Sequence, residues 1–299
     1  MVMSEGTVFN RMNRLRDLPS LPEVAMLIDR VVGDTSSSAA DVAEVVKDDP
    51  ALTSSLLRIA NSALYAGRHA GSCTNATEAV TRIGFREVRL LCLSLSIVNL
   101  FPDKGAQNMD YRAFWQHSLF VANTINVVRR HLPRSLQLSD GWGDSSTYFT
   151  CGLLHDIGLL VEDQLFAEEF KKIKRLAKDK GFTLRRAENA VLGTDHCGIG
   201  AEAARLWQLP IGVAAAIRNH HSPLEEEGQY KTMTKCLHIA DFLSHAHDLG
   251  DHGSEEPERL SRRTWDDLGL LVGDIEPIVG AAQREAERSK LFAMLATRA

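Results

Sequence analysis

Residues 151–160 read Cys-Gly-Leu-Leu-His-Asp-Ile-Gly-Leu-Leu and place a His-Asp pair, His155 and Asp156, in an otherwise apolar stretch. Because removing an isolated charge from water is costly, such a pair is expected to have a partner when it is buried. A metal ion is one such partner, since it binds a neutral imidazole and a carboxylate together. A buried hydrogen bond between the two side chains is the other interpretation. The decapeptide alone leaves both open.

The overall composition is that of an ordinary globular protein. The chain has 299 residues, of which 44% are hydrophobic and 24% are charged. This length is sufficient for one large domain or two modest domains with a substantial core. The net charge of -5 argues against a dedicated nucleic-acid-binding protein, which usually carries a basic surplus.

The cysteines are scattered and form no CxxC pair: Cys73, Cys92, Cys151, Cys197 and Cys236. They predict neither a disulfide framework nor a thiolate zinc site, and they favour a reducing cytoplasm. Cys197 follows His196 directly, so it is either a soft metal ligand or a small buried thiol. The first residues lack the apolar region of a signal peptide, and no apolar run reaches the roughly 20 residues of a membrane span. We therefore expect a soluble, cytoplasmic protein.

Hydrophobic residues recur with helical spacing along nearly the whole chain, which predicts an all-α fold. Asp49-Pro50 is a typical helix start, with an acidic N-cap before a proline. We predict an N-terminal helical unit over 1–108, a second helical unit over 109–248 and a C-terminal extension over 249–299. Helices are expected at 87–100, 111–132, 147–161, 164–179, 183–193, 195–207, 210–220, 231–247, 264–273 and 274–297. Loops are expected at 102–108, 133–146 and 248–258.

Further imidazoles and carboxylates occur on successive predicted helices of the second unit. Singly, each has a structural explanation, such as a hydrogen-bonded core histidine or a charge that complements a helix end. Together they resemble the way helical bundles build sites for one or two metals. Two metals would suit attack on a phosphoester, with Asp156 between them. The predicted metal ligands are His117, His155, Asp156, His196, His220, His221 and Asp241.

A rival site lies within a single predicted helix. His238, Asp241 and His245 are spaced at i, i+3 and i+7, so they share one helix face. Such a trio could bind a single ion. It would leave the pair His155-Asp156 unexplained.

Seven short phrases occur in a fixed order along the chain: Leu18-Pro-Ser-Leu-Pro22, Asp49-Pro-Ala-Leu52, Asn61-Ser-Ala63, Phe114-Trp-Gln-His-Ser118, Gly152-Leu-Leu-His-Asp-Ile-Gly158, Trp207-Gln-Leu-Pro210 and Ala216-Ile-Arg-Asn-His-His221. Together they resemble the HDOD domain, a member of the HD superfamily related to the HD-GYP cyclic-dinucleotide phosphodiesterases. The resemblance covers about residues 15–245 and implies an N-terminal helical bundle packed on an HD-like helical bundle. It also implies a bacterial signalling role.

The chain departs from the HD-GYP enzymes at positions that matter for catalysis. Leu159 stands where those enzymes have a lysine expected to hold substrate phosphate. Ala113 stands where members with three metals have a ligand glutamate. His221 is followed by Ser-Pro-Leu-Glu-Glu-Glu rather than by a Gly-Tyr-Pro segment, and these acids would repel a phosphodiester. The departures weaken the expectation of hydrolysis more than that of metal binding.

The expected function is therefore a regulatory signalling module that binds divalent metal, acts through protein contacts and is not catalytic. Its partner surface is expected on the N-terminal unit and on the apolar helix at 90–100. The metal is expected to be Fe, Mn, Ni or Mg, with up to two ions per chain. The alternative is a metal-dependent phosphohydrolase that acts on a nucleotide or cyclic dinucleotide, with Asp156 as its catalytic residue. A sensor that binds a nucleotide without turnover is a third interpretation.

Overall fold

The protein is all-α, as the sequence predicts. A computed structural model describes residues 3–14, 23–34, 36–61, 65, 71–101, 108–139, 145–246 and 260–284, and no strand occurs among them. Its helices, numbered in chain order, are α1 (Glu5–Arg14), α2 (Glu23–Gly33), α3 (Ala39–Lys47), α4 (Pro50–Ala60), α5 (Ala76–Ile83), α6 (Phe85–Leu100), α7 (Tyr111–His131), α8 (Arg134–Ser139), α9 (Ser145–Leu154), α10 (Ile157–Leu165), α11 (Ala167–Lys180), α12 (Leu184–Leu192), α13 (His196–Leu206), α14 (Ile211–Asn219), α15 (Lys231–Ala246) and α16 (Arg262–Asp267).

Helices α2 to α6 form a first group that is held together by apolar faces. Helix α4 begins as predicted, because the side chain of Asp49 accepts hydrogen bonds from the backbone N–H groups of Ala51 and Leu52. Its buried face includes Leu52, Leu56 and Ile59. Helix α6 packs against α2, α4 and α5 and also reaches α9, so it joins the first group to the second.

Helix α6 is an internal helix, which corrects one expectation about partner binding. Its side chains from Leu90 to Val98 are all buried within the chain. Even the polar Ser94 is satisfied internally, since its hydroxyl lies 3.0 Å from that of Thr150. The apolar stretch at 90–98 therefore packs the core and is not an exposed partner surface.

The second group is built around α7, which packs against α9 and α15. Two glycines permit close helix approaches here. A Cβ at Gly152 would lie 2.5 Å from Ala122 Cα, and a Cβ at Gly158 would lie 2.0 Å from the carbonyl oxygen of His196. Only glycine lets α9 approach α7, and α10 approach α13, at these distances. These approaches bring the residues that follow α9 against the start of α13.

Helix α1 packs on the second group, although the sequence analysis grouped residues 1–108. The backbone N–H of Met3 donates to the carbonyl oxygen of Val191 at 3.0 Å. The guanidinium of Arg218 lies 3.3 Å from the carboxylate of Glu5. The unit boundaries at 108 and 248 stay predictions.

Several predicted elements differ from those in the structure. The single helix at 147–161 is divided into α9 and α10, because residues 155–156 form a turn. The predicted loop at 133–146 contains the short helix α8, and the predicted helix at 264–273 is replaced by α16 and a 3-10 turn over Val272–Asp274. Residues 275–284 are helical, whereas the rest of the predicted closing helix lies outside the described residues.

Other predicted segments also lie partly or wholly outside the described residues. These are the Leu18–Pro22 and Asn61–Ala63 phrases, the linker at 102–108 and the loop at 248–258. Among the described helices, none combines the length and the apolar character that crossing a bilayer requires.

Candidate metal centre

All of the predicted metal ligands converge at one place in the second group. His155 and Asp156 occupy the turn between α9 and α10, and His117 projects from the middle of α7. His196 begins α13, the His220-His221 pair follows α14, and Asp241 lies on α15. The site is deeply buried: His117, His155 and His220 have no exposed surface, and Asp156 and Asp241 are 3% and 4% exposed.

Asp156 lies between two sets of imidazoles. Its Oδ2 is 3.0 Å from His155 Nε2 and 3.9 Å from His117 Nε2. Its Oδ1 is 3.5 Å from His196 Nε2 and 3.3 Å from His220 Nε2. Each carboxylate oxygen therefore faces a different half of the cluster, which is the arrangement expected of a residue that bridges two cations.

Asp241 faces the His117 half of the cluster and also reaches the other half. Its Oδ1 lies 3.2 Å from His117 Nε2 and 3.5 Å from His155 Nε2. Its Oδ2 lies 4.0 Å from His221 Nδ1. The two carboxylates thus lie at the centre of the imidazoles.

The rival trio does not form a site of its own. His245 joins the same cluster, with its Nδ1 3.2 Å from Asp241 Oδ1 and its ring beside that of His117. His238 Nδ1 instead donates to the backbone carbonyl of His220 at 2.8 Å, and His238 belongs to no potential metal-binding group of the described residues. His245 therefore lies with His117 and Asp241 rather than with His238.

Backbone carbonyls orient two of the imidazoles toward the centre of the cluster. His155 Nδ1 lies 2.9 Å from the carbonyl oxygen of Gly152, and His220 Nδ1 lies 2.8 Å from that of Ile217. Because a carbonyl only accepts hydrogen bonds, Nδ1 carries the proton in both rings. In a neutral imidazole the lone pair of Nε2 then points into the cluster, as a metal ligand requires.

Glu188 orients His196, and sequence reasoning missed it. Its carboxylate accepts from His196 Nδ1 at 2.9 Å and from the His196 backbone N–H at 3.0 Å, and it is fully buried. A carboxylate behind a histidine is the usual support of a metal-binding imidazole. Glu188 lies on α12 and His196 on α13, and no sequence motif links the two residues. The contact is therefore visible only in the fold.

The electrostatics of the cluster reflect burial opposed by close opposite charge. Burial would raise the pKa of Asp156, but His155 and the other imidazoles hold that pKa well below its usual range. Burial likewise favours neutral His155, yet Asp156 and Asp241 raise the pKa of His155 to about 9. Burial and the neighbouring His220 and His196 lower the pKa of His221 well below its usual value. Burial also lowers the pKa of His117. Positive charge is therefore favoured at His155 and disfavoured at His117 and His221.

The donor set fits a divalent cation. Without one, ring nitrogens meet at 3.3 Å between His117 and His155 and at 3.1 Å between His196 and His221, and each pair needs a shared proton. A cation would instead accept the lone pairs of both nitrogens and neutralise the two carboxylates. The contact of His155 with Asp156 can also be a plain hydrogen bond, but it requires His155 protonated on both nitrogens. The cluster could therefore hold a metal.

Comparison with known proteins places these features in a family. The HDOD domain model matches residues 18–223. An uncharacterized protein of Treponema pallidum (strain Nichols) is 25% identical over 233 residues, which cover 77% of this chain and 42% of the relative. The chain thus spans less than half the length of that curated relative.

Solved structures share the fold. A crystal structure from Marinobacter aquaeolei VT8, described as a candidate signal transduction protein, superposes with a TM-score of 0.73 at 23% identity. It covers all of this chain, which in turn spans 62% of that protein. A crystal structure from Shewanella amazonensis SB2B, described as a candidate phosphohydrolase, has a TM-score of 0.69 at 26% identity and covers 94% of this chain and 97% of its own. The family match, over more than half the chain, shows that this protein belongs to the HDOD domain family.

Proposed function

We propose that this HDOD domain is a regulatory module whose buried centre binds divalent metal and which acts through protein contacts without turning over a substrate. The observation that carries the metal-binding part is the position of Asp156 between two sets of imidazoles. His117, His155, Asp241 and one Asp156 oxygen would hold a first cation. His196, His220, His221 and the other Asp156 oxygen would hold a second, where one is present.

The burial of the site supports a role other than hydrolysis. The most exposed of the predicted ligand side chains is that of His221, at 13%, so little of the centre is open to a phosphoester. Leu159, which replaces the phosphate-binding lysine of the resembled enzymes, is itself buried and apolar. Among the described residues, the ligand side chains therefore expose little surface to a bulky anionic substrate, and Leu159 offers it no cation.

The acidic tract after His221 also disfavours an anionic substrate. The carboxylate of Glu226 accepts from the side chain of Asn219 at 3.1 Å and from the backbone N–H of Gly228 at 2.9 Å. These bonds hold one carboxylate at Asn219, the last residue of α14, which directly precedes His220 and His221 in the chain. Like charge at this edge of the centre repels a phosphodiester.

The test is metal analysis and a phosphoester assay on one set of proteins. We expect wild type reconstituted anaerobically with Fe²⁺ or Mn²⁺ to retain at least one ion per chain. Asp156→Ala should not retain the ion, because the substitution removes the carboxylate that faces both sets of imidazoles. The exposed Asp179→Ala is the matched control and should retain the metal. We expect no turnover of generic phosphoesters or cyclic dinucleotides above the Asp156→Ala background.

Two outcomes would contradict the proposal in different ways. An empty wild-type centre after anaerobic reconstitution would overturn the metal-binding part. Turnover that is present in wild type and Asp179→Ala but absent in Asp156→Ala would overturn the regulatory, non-catalytic part.

The second candidate function is a metal-dependent phosphohydrolase acting on a nucleotide or cyclic dinucleotide. The complete ligand set favours it, as does the likeness at 26% identity to the Shewanella protein described as a candidate phosphohydrolase. A bound cation would supply a Lewis acid that polarises a phosphoryl oxygen. The chain itself would contribute His155 and His220, oriented by the carbonyls of Gly152 and Ile217, and Asp156 as the central carboxylate.

The regulatory proposal also requires a protein partner. Helix α6 is internal, so the partner would bind other surfaces of the molecule. We expect a purified partner to bind the metal-loaded chain more tightly than the metal-free chain, as measured by titration calorimetry. Equal affinity for the two forms would show that metal binding does not control partner binding.

A further inference from the structure

The five cysteines do not share one environment. Cys73, Cys92, Cys151 and Cys236 are buried among the apolar side chains of the core. Cys197 is equally buried, at 1% exposed, but it does not belong to that apolar cluster. It is the second residue of α13, beside His196. A small buried thiol that serves packing would be expected in the first environment, not the second.

The neighbours of Cys197 are metal-ligating side chains. Its Sγ and one ring nitrogen from each of His196, His220 and His221 all lie within 4.8 Å of one another. Zinc with nitrogen and sulfur ligands has neighbouring ligand atoms about 3.3 to 3.6 Å apart, so side-chain shifts would bring these four atoms to that spacing. With Asp156 Oδ1, which lies 3.3 Å from His220 Nε2, the ion would have five ligands.

A second, independent observation points to a ligand at this place. Nε2 of the fully buried His220 makes no hydrogen bond of normal geometry, although it lies 3.3 Å from Asp156 Oδ1. Its Nδ1 donates to Ile217, so the lone pair of Nε2 is directed into the cluster. His196 is held in place from behind by Glu188. Rigid imidazoles around an inward lone pair are the setting of a metal ligand rather than of a packing thiol.

The two halves of the centre therefore differ in chemistry. Apart from the Asp156 oxygen that faces each half, the half formed by His117, His155, Asp241 and His245 offers nitrogen and carboxylate oxygen, whereas the half at α13 offers three imidazoles and a sulfur. Thiolates favour zinc and related borderline cations, while Mg²⁺ and Mn²⁺ prefer oxygen ligands. Among the described residues, no other cysteine belongs to a potential metal-binding group.

We propose that Cys197 is a ligand of a zinc-type cation at the half formed by His196, His220 and His221, and that it makes this half selective for such cations over Mg²⁺ and Mn²⁺. This inference rests on the proposed metal binding, to which it adds Cys197 as a ligand and a preference for zinc-type cations.

The experiment is a Co²⁺ titration of the metal-free full chain, followed by optical absorption. Cobalt bound by nitrogen and oxygen gives visible bands, and a thiolate ligand adds a charge-transfer band in the near ultraviolet. We expect wild type to show both. Cys197→Ser should lose the near-ultraviolet band, bind Zn²⁺ at least about tenfold more weakly, and keep its affinity for Mn²⁺. Cys73→Ser is the matched control, because its hydroxyl can replace the bond from the Cys73 thiol to the Asn75 carbonyl.

The outcomes separate this inference from the function on which it rests. Visible bands without the near-ultraviolet band in wild type would overturn Cys197 as a ligand and leave metal binding intact. A near-ultraviolet band that persists in Cys197→Ser would also overturn it. No cobalt binding at all would overturn both. Should Cys197→Ser fail to fold, zinc K-edge absorption of wild type decides: a sulfur neighbour at about 2.3 Å supports the inference, and its absence overturns it.

Discussion

The first group of helices, α2 to α6, and the second group around α7 differ in the side chains that they bury. In the first group, the buried side chains of α4 are apolar, and the helix start is satisfied by the Asp49 cap. In the second group, His117, His155 and Asp156 are buried at the point where helices meet. Burying ionisable groups opposes folding unless they are paired or bind a cation. The first group also buries the charged Arg82, but that side chain is paired with Glu78 at 3.0 Å. The comparison teaches that the buried charge of the first group has its partner within the chain, whereas the charges of the second group depend on what occupies their centre.

Metal removal is expected to have the largest effect and to act on the two groups unequally. A ligand that binds only the folded state at about a thousand times its Kd stabilises by about 4 kcal/mol, so a chelator should remove a stabilisation of that order. Hydrogen exchange followed by mass spectrometry should show lost protection in α10, α13 and α14, with α4 nearly unchanged. An equal loss of protection in both groups would show that they unfold as one unit and that the metal does not stabilise the second group in particular.

Of the substitutions proposed here, Gly158→Ala should lower the free energy of unfolding the most. A Cβ there would lie 2.0 Å from the His196 carbonyl oxygen and 2.9 Å from the Gly200 backbone nitrogen, so α10 and α13 must separate. We expect a loss of at least about 3 kcal/mol in unfolding free energy and a lower metal content, because His196 moves.

The control for this substitution is Gly6→Ala in α1, where an added Cβ meets nothing within 4 Å. Removing a helical glycine there should be neutral or stabilise by up to about 1 kcal/mol. Urea denaturation and metal analysis measure both variants. Full metal content in Gly158→Ala would mean that the close approach of α10 to α13 does not position the ligands.

The smallest effect is expected in the first group. Asp49→Ala removes the acceptor for the backbone N–H groups of Ala51 and Leu52 and should cost about 1 kcal/mol. Because α4 contributes no residue to the centre, the metal content should stay at the wild-type level. A fall in metal content with this variant would show that the two groups are energetically coupled, most directly through α6, which contacts both.

Much of the candidate site was predictable because its residues are chemically distinctive and occur in a recognisable order. His155 and Asp156 stand out in an apolar decapeptide, and His117 and Asp241 lie on helices whose apolar spacing is visible. What periodicity could not show is the turn at 155–156 between α9 and α10. Apolar spacing continues through both helices, whereas the break depends on how α10 packs at Gly158.

Contacts between helices were the part that sequence reasoning missed. Glu188 looks like one more charged residue of an amphipathic helix, yet it is fully buried against His196. His245 was grouped with His238 by helical spacing, but α15 directs only His245 toward Asp241 and His117. Residues that share a helix face at i, i+3 and i+7 can still contact different residues, because the packing of the other helices determines which side chains lie against each of them.

The sequence by itself determined the helical class of the protein and the start of α4 at Asp49, and it identified seven of the side chains that meet at the candidate centre, since these depend on local spacing and on side-chain chemistry. Only the tertiary structure decided that Asp156 lies between two sets of imidazoles and that Cys197 lies among imidazoles rather than in the apolar core. The physical reason is that both depend on distances between helices remote in sequence. Those distances are set by close packing at positions such as Gly152 and Gly158.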